Sequence, residues 1–267
     1  MELVQEPKIK KMNPLTILKI SGKIVEDAGK LEKVLQKFTA IKHDKILVHG
    51  GGKQATELCL KLGIEPKLVE GRRITDKETL QIVTMVYAGW TNKLVVSQLQ
   101  KLNCNASGFS GADHNLILAK KRSNTAVDFG FVGDIQKVNI KALQKLISAH
   151  IVPVFCAITH DGNGQLLNTN ADSIAMELSS ALSPFYKVDL QFCSDKEGVL
   201  ADPRDETSIF RHIPFQNFSK YKQRGIISEG MIPKMENAYL ALKNGVQAVK
   251  ICGINGIDSE KGTKLYL

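Results

Sequence analysis

The sequence predicts an α/β fold, a three-layer αβα sandwich in which an open, mainly parallel central sheet lies between two layers of helices. Short β-branched runs alternate with longer amphipathic segments along the chain, and this alternation favours parallel strands with helices on both sheet faces. The 267 residues are 43% hydrophobic and 24% charged, which suits a large buried core. Several predicted strands end in glycine or ionisable residues, so we expect a ligand at that edge of the sheet.

Each element is placed by its hydrophobic period. Strands are predicted at 15–22, 45–50, 149–158, 187–195 and 247–254. Helices are predicted at 26–42, 53–63, 80–102, 171–182 and 230–245, the second of them closed by Gly63. The segment 67–75 (KLVEGRRIT) is an exception to the alternation and predicts a short antiparallel hairpin.

The run LSPF at 182–185 interrupts two elements, so the sequence predicts an N-terminal lobe at 1–182 and a C-terminal lobe at 183–267. The formal net charge of +9 favours anionic partners. Apart from KIKK at 8–11 the basic residues are scattered, and no apolar run approaches a membrane span. We therefore expect a small acidic ligand, with neither nucleic acid nor membrane as a partner. Five widely spaced cysteines without a C-x-x-C pair indicate reduced thiols in a cytoplasmic protein.

Three consecutive glycines at 50–52 connect the second predicted strand to its helix. A tight turn needs only one glycine, and each further glycine costs up to about 1 kcal/mol relative to alanine. The run therefore indicates that backbone amides approach an anion closely. A Walker A loop is excluded, because Gln54 follows Lys53 where Ser or Thr is required, and Leu47 occupies the position of the first glycine.

The same stretch also satisfies a dinucleotide fingerprint. Gly50, Gly52 and Ala55 match G-x-G-x-x-A, and Glu70 lies twenty residues beyond Gly50, where an acid can bind a ribose. An NAD-dependent Rossmann dehydrogenase therefore stays open as an alternative from the residues alone.

Six motifs, one of which contains the three glycines, resemble those of a known family. They occur in the order found in the acetylglutamate kinase branch of the amino acid kinase family, which the chain resembles from about 13 to 253: LKISGK, VHGGG, GRRIT, NTNAD, SDKEGVLADP and IISEGMIPKM. The resemblance implies an amino acid kinase-like fold. It also implies that the N-terminal lobe binds the acylglutamate and forms a homodimer through the helix around 79–97, and that the C-terminal lobe binds ATP.

The resemblance implies three catalytic residues: Lys19, Lys234 and Asp172. Taken alone, Lys19 could be an edge-strand lysine whose ammonium reaches solvent, and Asp172 an ordinary helix cap. Lys234 follows Pro233 in the first turn of a helix, where a cation opposes the helix dipole, and this favours a functional role. By resemblance the two lysines stabilise the transferred phosphoryl group, and Asp172 holds both ammonium groups.

Further roles follow from the same resemblance. The amides of Gly22, Gly51 and Gly52 bind the phosphoryl group, while Gly51, Gly52, Arg73 and Asn168 bind the substrate. An arginine suits a carboxylate because its guanidinium donates two parallel hydrogen bonds. The nucleotide is expected to contact nine residues of the C-terminal lobe: Asp195, Lys196, Glu197, Gly198, Val199, Leu200, Ile226, Ile227 and Ser228. Mg²⁺ is expected to be held mainly by the ATP phosphates, with no metal ligand from the protein.

The implied reaction is ATP-dependent phosphorylation of the γ-carboxylate of N-acetyl-L-glutamate, a step of arginine biosynthesis. A carboxylate is already ionised at neutral pH, so no general base is required, and His49 is assigned a turn-positioning or core role. Departures from the family pattern, including Ser21, Trp90 and the 112–115 segment, cluster partly on the substrate side. They leave N-succinyl-L-glutamate, or another substrate of this family, as alternatives.

Overall fold

The computed structural model describes residues 12–69, 72–123, 126–202, 204–227 and 231–267. The strands are β1 (Asn13–Ile20), β2 (Asp44–His49), β3 (Leu68–Val69), β4 (Arg72–Arg73), β5 (Ala106–Phe109), β6 (Ile117–Lys121), β7 (Gly133–Val138), β8 (Val152–Phe155), β9 (Ile158–His160), β10 (Leu166–Asn168), β11 (Tyr186–Cys193), β12 (His212–Pro214), β13 (Ala248–Cys252) and β14 (Thr263–Tyr266). The α-helices are α1 (Gly22–Val25), α2 (Ala28–Ala40), α3 (Gly52–Lys61), α4 (Lys77–Thr84), α5 (Asn92–Lys101), α6 (Ile140–Ser148), α7 (Ala171–Leu182), α8 (Phe215–Gln223) and α9 (Ile232–Lys243).

One eight-stranded sheet forms the centre of the molecule, in the order β12-β14-β13-β11-β1-β2-β8-β5. All neighbouring strands are parallel except β13 and β14. The predicted α/β class with a mainly parallel central sheet is thus confirmed. Apolar residues fill both faces of this sheet, and the central strand β1 is buried from Leu15 to Ile20.

The sheet passes without a break across the proposed lobe boundary. β1 pairs with β2 on one side and with β11 on the other, with Lys19 opposite both Val48 and Phe192. The two halves of the chain therefore share one sheet and meet along the β1–β11 pair. Residues that follow β1 stand where both halves can reach a common ligand.

The predicted strand at 149–158 is divided in the structure. β8 ends at Phe155, and β9 begins at Ile158 in a separate four-stranded sheet of order β10-β9-β6-β7. The sequence pattern does not indicate this second sheet, because its strands are short and β6–β7 contains a bulge at Leu118/Ala119. The hairpin in 67–75 is present as β3 and β4, paired antiparallel.

The long helical pattern at 80–102 forms α4 and α5, joined through a π-helical segment at Met85–Thr91. A π segment rotates the following turn relative to a regular helix. Val86, Tyr87 and Thr91 of this segment are buried, while Trp90 is exposed. Among the described residues no helix is long and apolar enough to cross a membrane.

Candidate active site

A cavity of about 380 Å³ lies at the carboxyl ends of β1, β2 and β10, facing the first turns of α3, α7 and α9. Parallel sheets bind ligands at this edge, and helix N-termini present free N–H groups to anions. Two glycine loops border it, one at Gly22 after β1 and one at Gly50–Gly52 after β2. The described lining combines these loops with cationic and amide side chains: Lys19, Gly22, Gly50, Gly51, Gly52, Thr56, Leu68, Arg72, Arg73, Tyr87, Arg122, Val132, Ala157, Asn168, Thr169, Asn170, Ala171, Asp172, Ser173, Pro233 and Asn237.

A larger cavity of about 780 Å³ lies at the opposite edge, near the amino ends of β11 and β13. Its lysines are already bonded: Lys250 Nζ donates to the carbonyl oxygens of Gly256 and Ser259, and Lys264 pairs with Glu260. The cavity between the glycine loops is the stronger candidate because its cations and free amides converge on one space.

Asp172 bridges two lysines at the centre of the site. Its Oδ1 lies 2.7 Å from Lys19 Nζ and 3.2 Å from Lys234 Nζ, which is also 3.2 Å from Oδ2. Burial alone would raise the pKa of Asp172, but the two ammonium groups outweigh it and hold that pKa well below its usual range. The carboxylate is therefore ionised, and the structure brings together the three residues that the sequence analysis named.

Lys234 occupies the first turn of α9, which begins at Ile232, two residues after the start of the predicted helix at 230–245. Its Nζ lies 5.0 Å from the centre of the Phe192 ring. Burial, with repulsion from Lys19, lowers the pKa of Lys234 to about 8, and Asp172 opposes this decrease. Two buried cations with one counter-charge leave an excess positive charge, which a phosphoryl group would neutralise.

The stretch 168–172 is extended only as far as Asn168, because α7 begins at Ala171. Asn168, Asn170 and Asp172 therefore do not alternate along one strand. Asn170 is the N-cap, and its side-chain oxygen accepts from the N–H groups of Asp172 and Ser173 at 2.8 and 3.1 Å. Because Asn170 caps the helix, the Asp172 carboxylate is available to the lysines.

The predicted phosphoryl-binding glycines all lie on the cavity wall. Gly22 and Gly52 are the first residues of α1 and α3, and Gly51 is the N-cap of α3. No described residue accepts a hydrogen bond from the N–H of these three glycines. A Cβ on Gly51 would lie 2.8 Å from Tyr87 Cδ1, so only glycine fits without movement of that ring.

Arg73 and Asn168 form the opposite part of the wall. Arg73 Nη2 donates to Gly52 O at 2.8 Å and to Thr56 Oγ1 at 2.6 Å, while Nη1 is buried without a hydrogen-bond partner among the described residues. Asn168 Nδ2 donates to Thr75 Oγ1 at 3.0 Å. Nη2 thus supports the glycine loop, and no residue that the structure describes bonds to Nη1. Arg72 is exposed and contributes to the same wall.

Of the nine residues expected to contact the nucleotide, the eight that the structure describes lie outside the described lining of this cavity. Asp195 pairs with Lys23 at 3.1 Å, and Lys196 pairs with Glu206 at 2.5 Å. The N–H of Val199 donates to Thr263 Oγ1 at 2.8 Å.

Two of the residues expected to contact the nucleotide have buried side chains. Val199 and Ile227 are each 3% exposed, so a nucleotide would reach them mainly through their backbone. Glu197, Gly198, Leu200 and Ile226 lie in the same two segments, and Ser228 lies outside the described residues.

Three contributors were missed by the sequence analysis. Tyr87 supports Gly51 from the π-helical segment, Arg122 pairs with Asp134 at 2.6 Å at the cavity wall, and Asn237 lines it from α9. Only a contact across the fold identifies them, since none belongs to a local motif. Ser21, one of the departures noted above, has a buried hydroxyl without a partner in the described part of the chain. No group of three or more metal-binding side chains occurs in the described part of the chain.

Comparison with known proteins identifies relatives over nearly the whole length. The model of the amino acid kinase family matches residues 14–253. An acetylglutamate kinase from Parabacteroides distasonis is 49% identical over 255 residues, covering 96% of this chain and 100% of the relative. One from Bacteroides fragilis is 46% identical over 258 residues, covering 97% and 99%.

A solved structure shares the fold. N-acetylglutamate synthase from Neisseria gonorrhoeae, in complex with coenzyme A and N-acetyl-glutamate, aligns with a TM-score of 0.81 at 17% identity. The alignment covers 96% of this chain and 60% of that one. At this level of identity the similarity supports the architecture alone.

Proposed function

The chain belongs to the amino acid kinase family, and we propose that it transfers the γ-phosphoryl group of ATP to the γ-carboxylate of N-acetyl-L-glutamate. The relatives named above support this substrate. The observation that carries the proposal is the buried Lys19–Asp172–Lys234 triad beside unpaired glycine amides. Kinase membership excludes the Rossmann dehydrogenase alternative, despite the G-x-G-x-x-A match.

Phosphoryl transfer requires alignment and neutralisation of spread-out negative charge more than covalent participation by the protein. Lys19 and Lys234 supply positive charge, and Asp172 keeps their ammonium groups in fixed positions. The amides of Gly22, Gly51 and Gly52 donate to phosphoryl oxygens. The acceptor carboxylate is already ionised, so no residue needs to remove a proton.

The acidic substrate is proposed to lie between β4 and β10. The unpaired Nη1 of Arg73 is suited to bind a substrate carboxylate, and the Asn168 amide can bond a second polar group. ATP would approach from the segments 195–200 and 226–228. The product is an acyl phosphate, and we place the reaction in arginine biosynthesis.

Mg²⁺ fits this site only as a companion of ATP. Within the described lining Asp172 is the sole carboxylate, and both lysines already bond to it. The ion would therefore be held chiefly by phosphate oxygens and water, and it would neutralise charge on the phosphate chain.

The substrate is tested by measuring acyl-phosphate formation with ATP and acetyl-, succinyl- or unacylated glutamate. We expect acetylglutamate to give the highest kcat/KM. Higher kcat/KM with succinylglutamate or with free glutamate would contradict the substrate assignment. In the same assay, Lys19→Ala should depress kcat by orders of magnitude while the folding transition changes little. An unchanged kcat would remove Lys19 from the catalytic set.

We further propose a homodimer that buries the helix around the π segment. Met85 and Trp90 on this segment are 54% and 67% exposed, and large apolar side chains at such levels are suited to an interface. Trp90→Glu should shift the mass measured by sedimentation equilibrium from dimer to monomer. A cytoplasmic location is supported by the five cysteines, which are all buried and free.

A further inference from the structure

His49 is fully buried at the end of β2, directly before the glycine loop, and both of its ring nitrogens are bonded. Nδ1 lies 2.8 Å from the Gly50 carbonyl oxygen, and Nε2 lies 3.1 Å from Asn92 Nδ2. The proposed phosphoryl transfer assigns no proton to this ring. The histidine therefore stands beside the site without a chemical step of its own.

The neighbours of Asn92 determine which ring nitrogen of His49 carries the proton. The Val154 carbonyl can only accept, and it lies 3.0 Å from Asn92 Nδ2. The Lys93 ammonium can only donate, and it lies 3.1 Å from Asn92 Oδ1. The amide nitrogen therefore faces His49 and donates to Nε2. It follows that His49 carries its proton on Nδ1 and donates it to the Gly50 carbonyl.

Asn92 is itself held tightly. It is 1% exposed at the start of α5, and a Cβ on Gly108 of β5 would lie 1.8 Å from its Oδ1. The side chain thus occupies the space that glycine leaves in the neighbouring strand. Strands β5 and β8 and helix α5 together fix the amide that orients His49.

The bond to the Gly50 carbonyl determines the direction of the next amide. The Gly50–Gly51 peptide is trans, so its carbonyl and its N–H point to opposite sides of one plane. With the carbonyl held by His49, the Gly51 N–H is directed away from the buried ring, and Gly51 itself lines the cavity. Glycine on both sides of this peptide lets it rotate at little steric cost, so its orientation needs an external restraint.

We propose that His49 and Asn92 form a positioning pair, which holds the Gly50–Gly51 peptide so that the Gly51 N–H faces the transferred phosphoryl group. This inference rests on the proposed kinase activity. The pair acts through the backbone and touches no substrate. Its contribution should therefore appear in kcat rather than in KM for either substrate.

The test compares His49→Gln with His49→Asn in the ATP and acetylglutamate assay. The shorter Asn amide can reach the Nδ1 position and still donate to Gly50, whereas the longer Gln reaches toward Nε2. We expect His49→Gln to lower kcat roughly 10- to 100-fold, a fraction of the loss expected for a missing oxyanion donor. KM for both substrates should change less than threefold, and His49→Asn should recover most of kcat. His43→Gln, just before the other end of the same strand, is the matched control and should keep kcat.

Several results would overturn the inference. One is a folded His49→Gln protein that keeps kcat within threefold of the parent; another is equal loss in both variants, which indicates a packing role. Should His49→Gln not fold, Asn92→Ala must show the same selective loss of kcat. If the parent is inactive on acetylglutamate, the proposed function fails. Crystal structures of parent and His49→Gln then decide, because an unchanged Gly50–Gly51 peptide overturns the inference and a rotated one supports it.

Discussion

Replacing Asp172 by Asn removes the shared counter-charge of two buried lysines while keeping the shape of the side chain. At 3.2 Å and an effective dielectric constant of about 20, the attraction between Asp172 and Lys234 is about 5 kcal/mol before desolvation. A pKa change of one unit corresponds to about 1.4 kcal/mol. The pKa of Lys234 is already lowered to about 8. Loss of only a quarter of this attraction would therefore lower that pKa to about 7.

The expected result is a change in the pH dependence as well as in the rate. At pH 7 much of Lys234 in Asp172→Asn is neutral, so kcat should fall at least tenfold. Because an ammonium with a lower pKa is charged only at lower pH, activity of the variant should rise as pH falls from 8 to 6. Product formation is measured by quenched chromatography across this range, with thermal unfolding as the control for folding. A variant whose pH profile matches the parent, or whose kcat at pH 7 stays within threefold, would refute the reasoning.

Three further outcomes are expected. In the parent, kcat/KM should fall above about pH 8, because the lowered pKa of Lys234 makes this side chain lose its positive charge there. Lys234→Arg should remove this decrease, since arginine stays charged. A parent profile that stays level to pH 10 would contradict the prediction. Gly51→Ala should lower the free energy of unfolding by about 1–3 kcal/mol, because the added Cβ would contact Tyr87. Gly52→Ala should cost far less, because no described atom lies within 4 Å of a Cβ added there. Equal costs in urea titrations would count against the packing described. Burial, aided by Lys93 and Lys19, lowers the pKa of His49 to about 4. As the pH falls below about 6.5, the histidine therefore takes up a proton in the unfolded chain before it does so in the folded one. The free energy of unfolding of the parent should thus decrease by about 2 kcal/mol between pH 7 and pH 5, and that of His49→Asn should decrease clearly less.

The order of elements along the chain was accessible from the sequence. Hydrophobic period reports which face of a segment is buried, and this is a local property. It placed α7 at 171–182 as observed and located the strands that flank both glycine loops. The motif order likewise named Lys19, Asp172 and Lys234, although these residues stand far apart in the chain.

Other features depended on contacts that the local pattern does not encode. The sequence did not reveal that β8 ends before a second sheet, because a short apolar run does not show which sheet it joins. Nor did it reveal that Asn170 caps α7 in place of Asp172, since both residue types suit a helix start.

The sequence by itself therefore determined the α/β class, the family and the charged groups of the candidate site, because each is carried by residue type and periodicity. Only the tertiary structure decided which polar atoms of the site form hydrogen bonds within the protein and which remain available to a ligand. Arg73 supports Gly52 through Nη2 and leaves Nη1 without a partner among the described residues. Asn92 holds the His49 ring, which donates to the Gly50 carbonyl of the glycine loop. Hydrogen-bond partners depend on distance and direction between remote residues, and only the folded chain sets these.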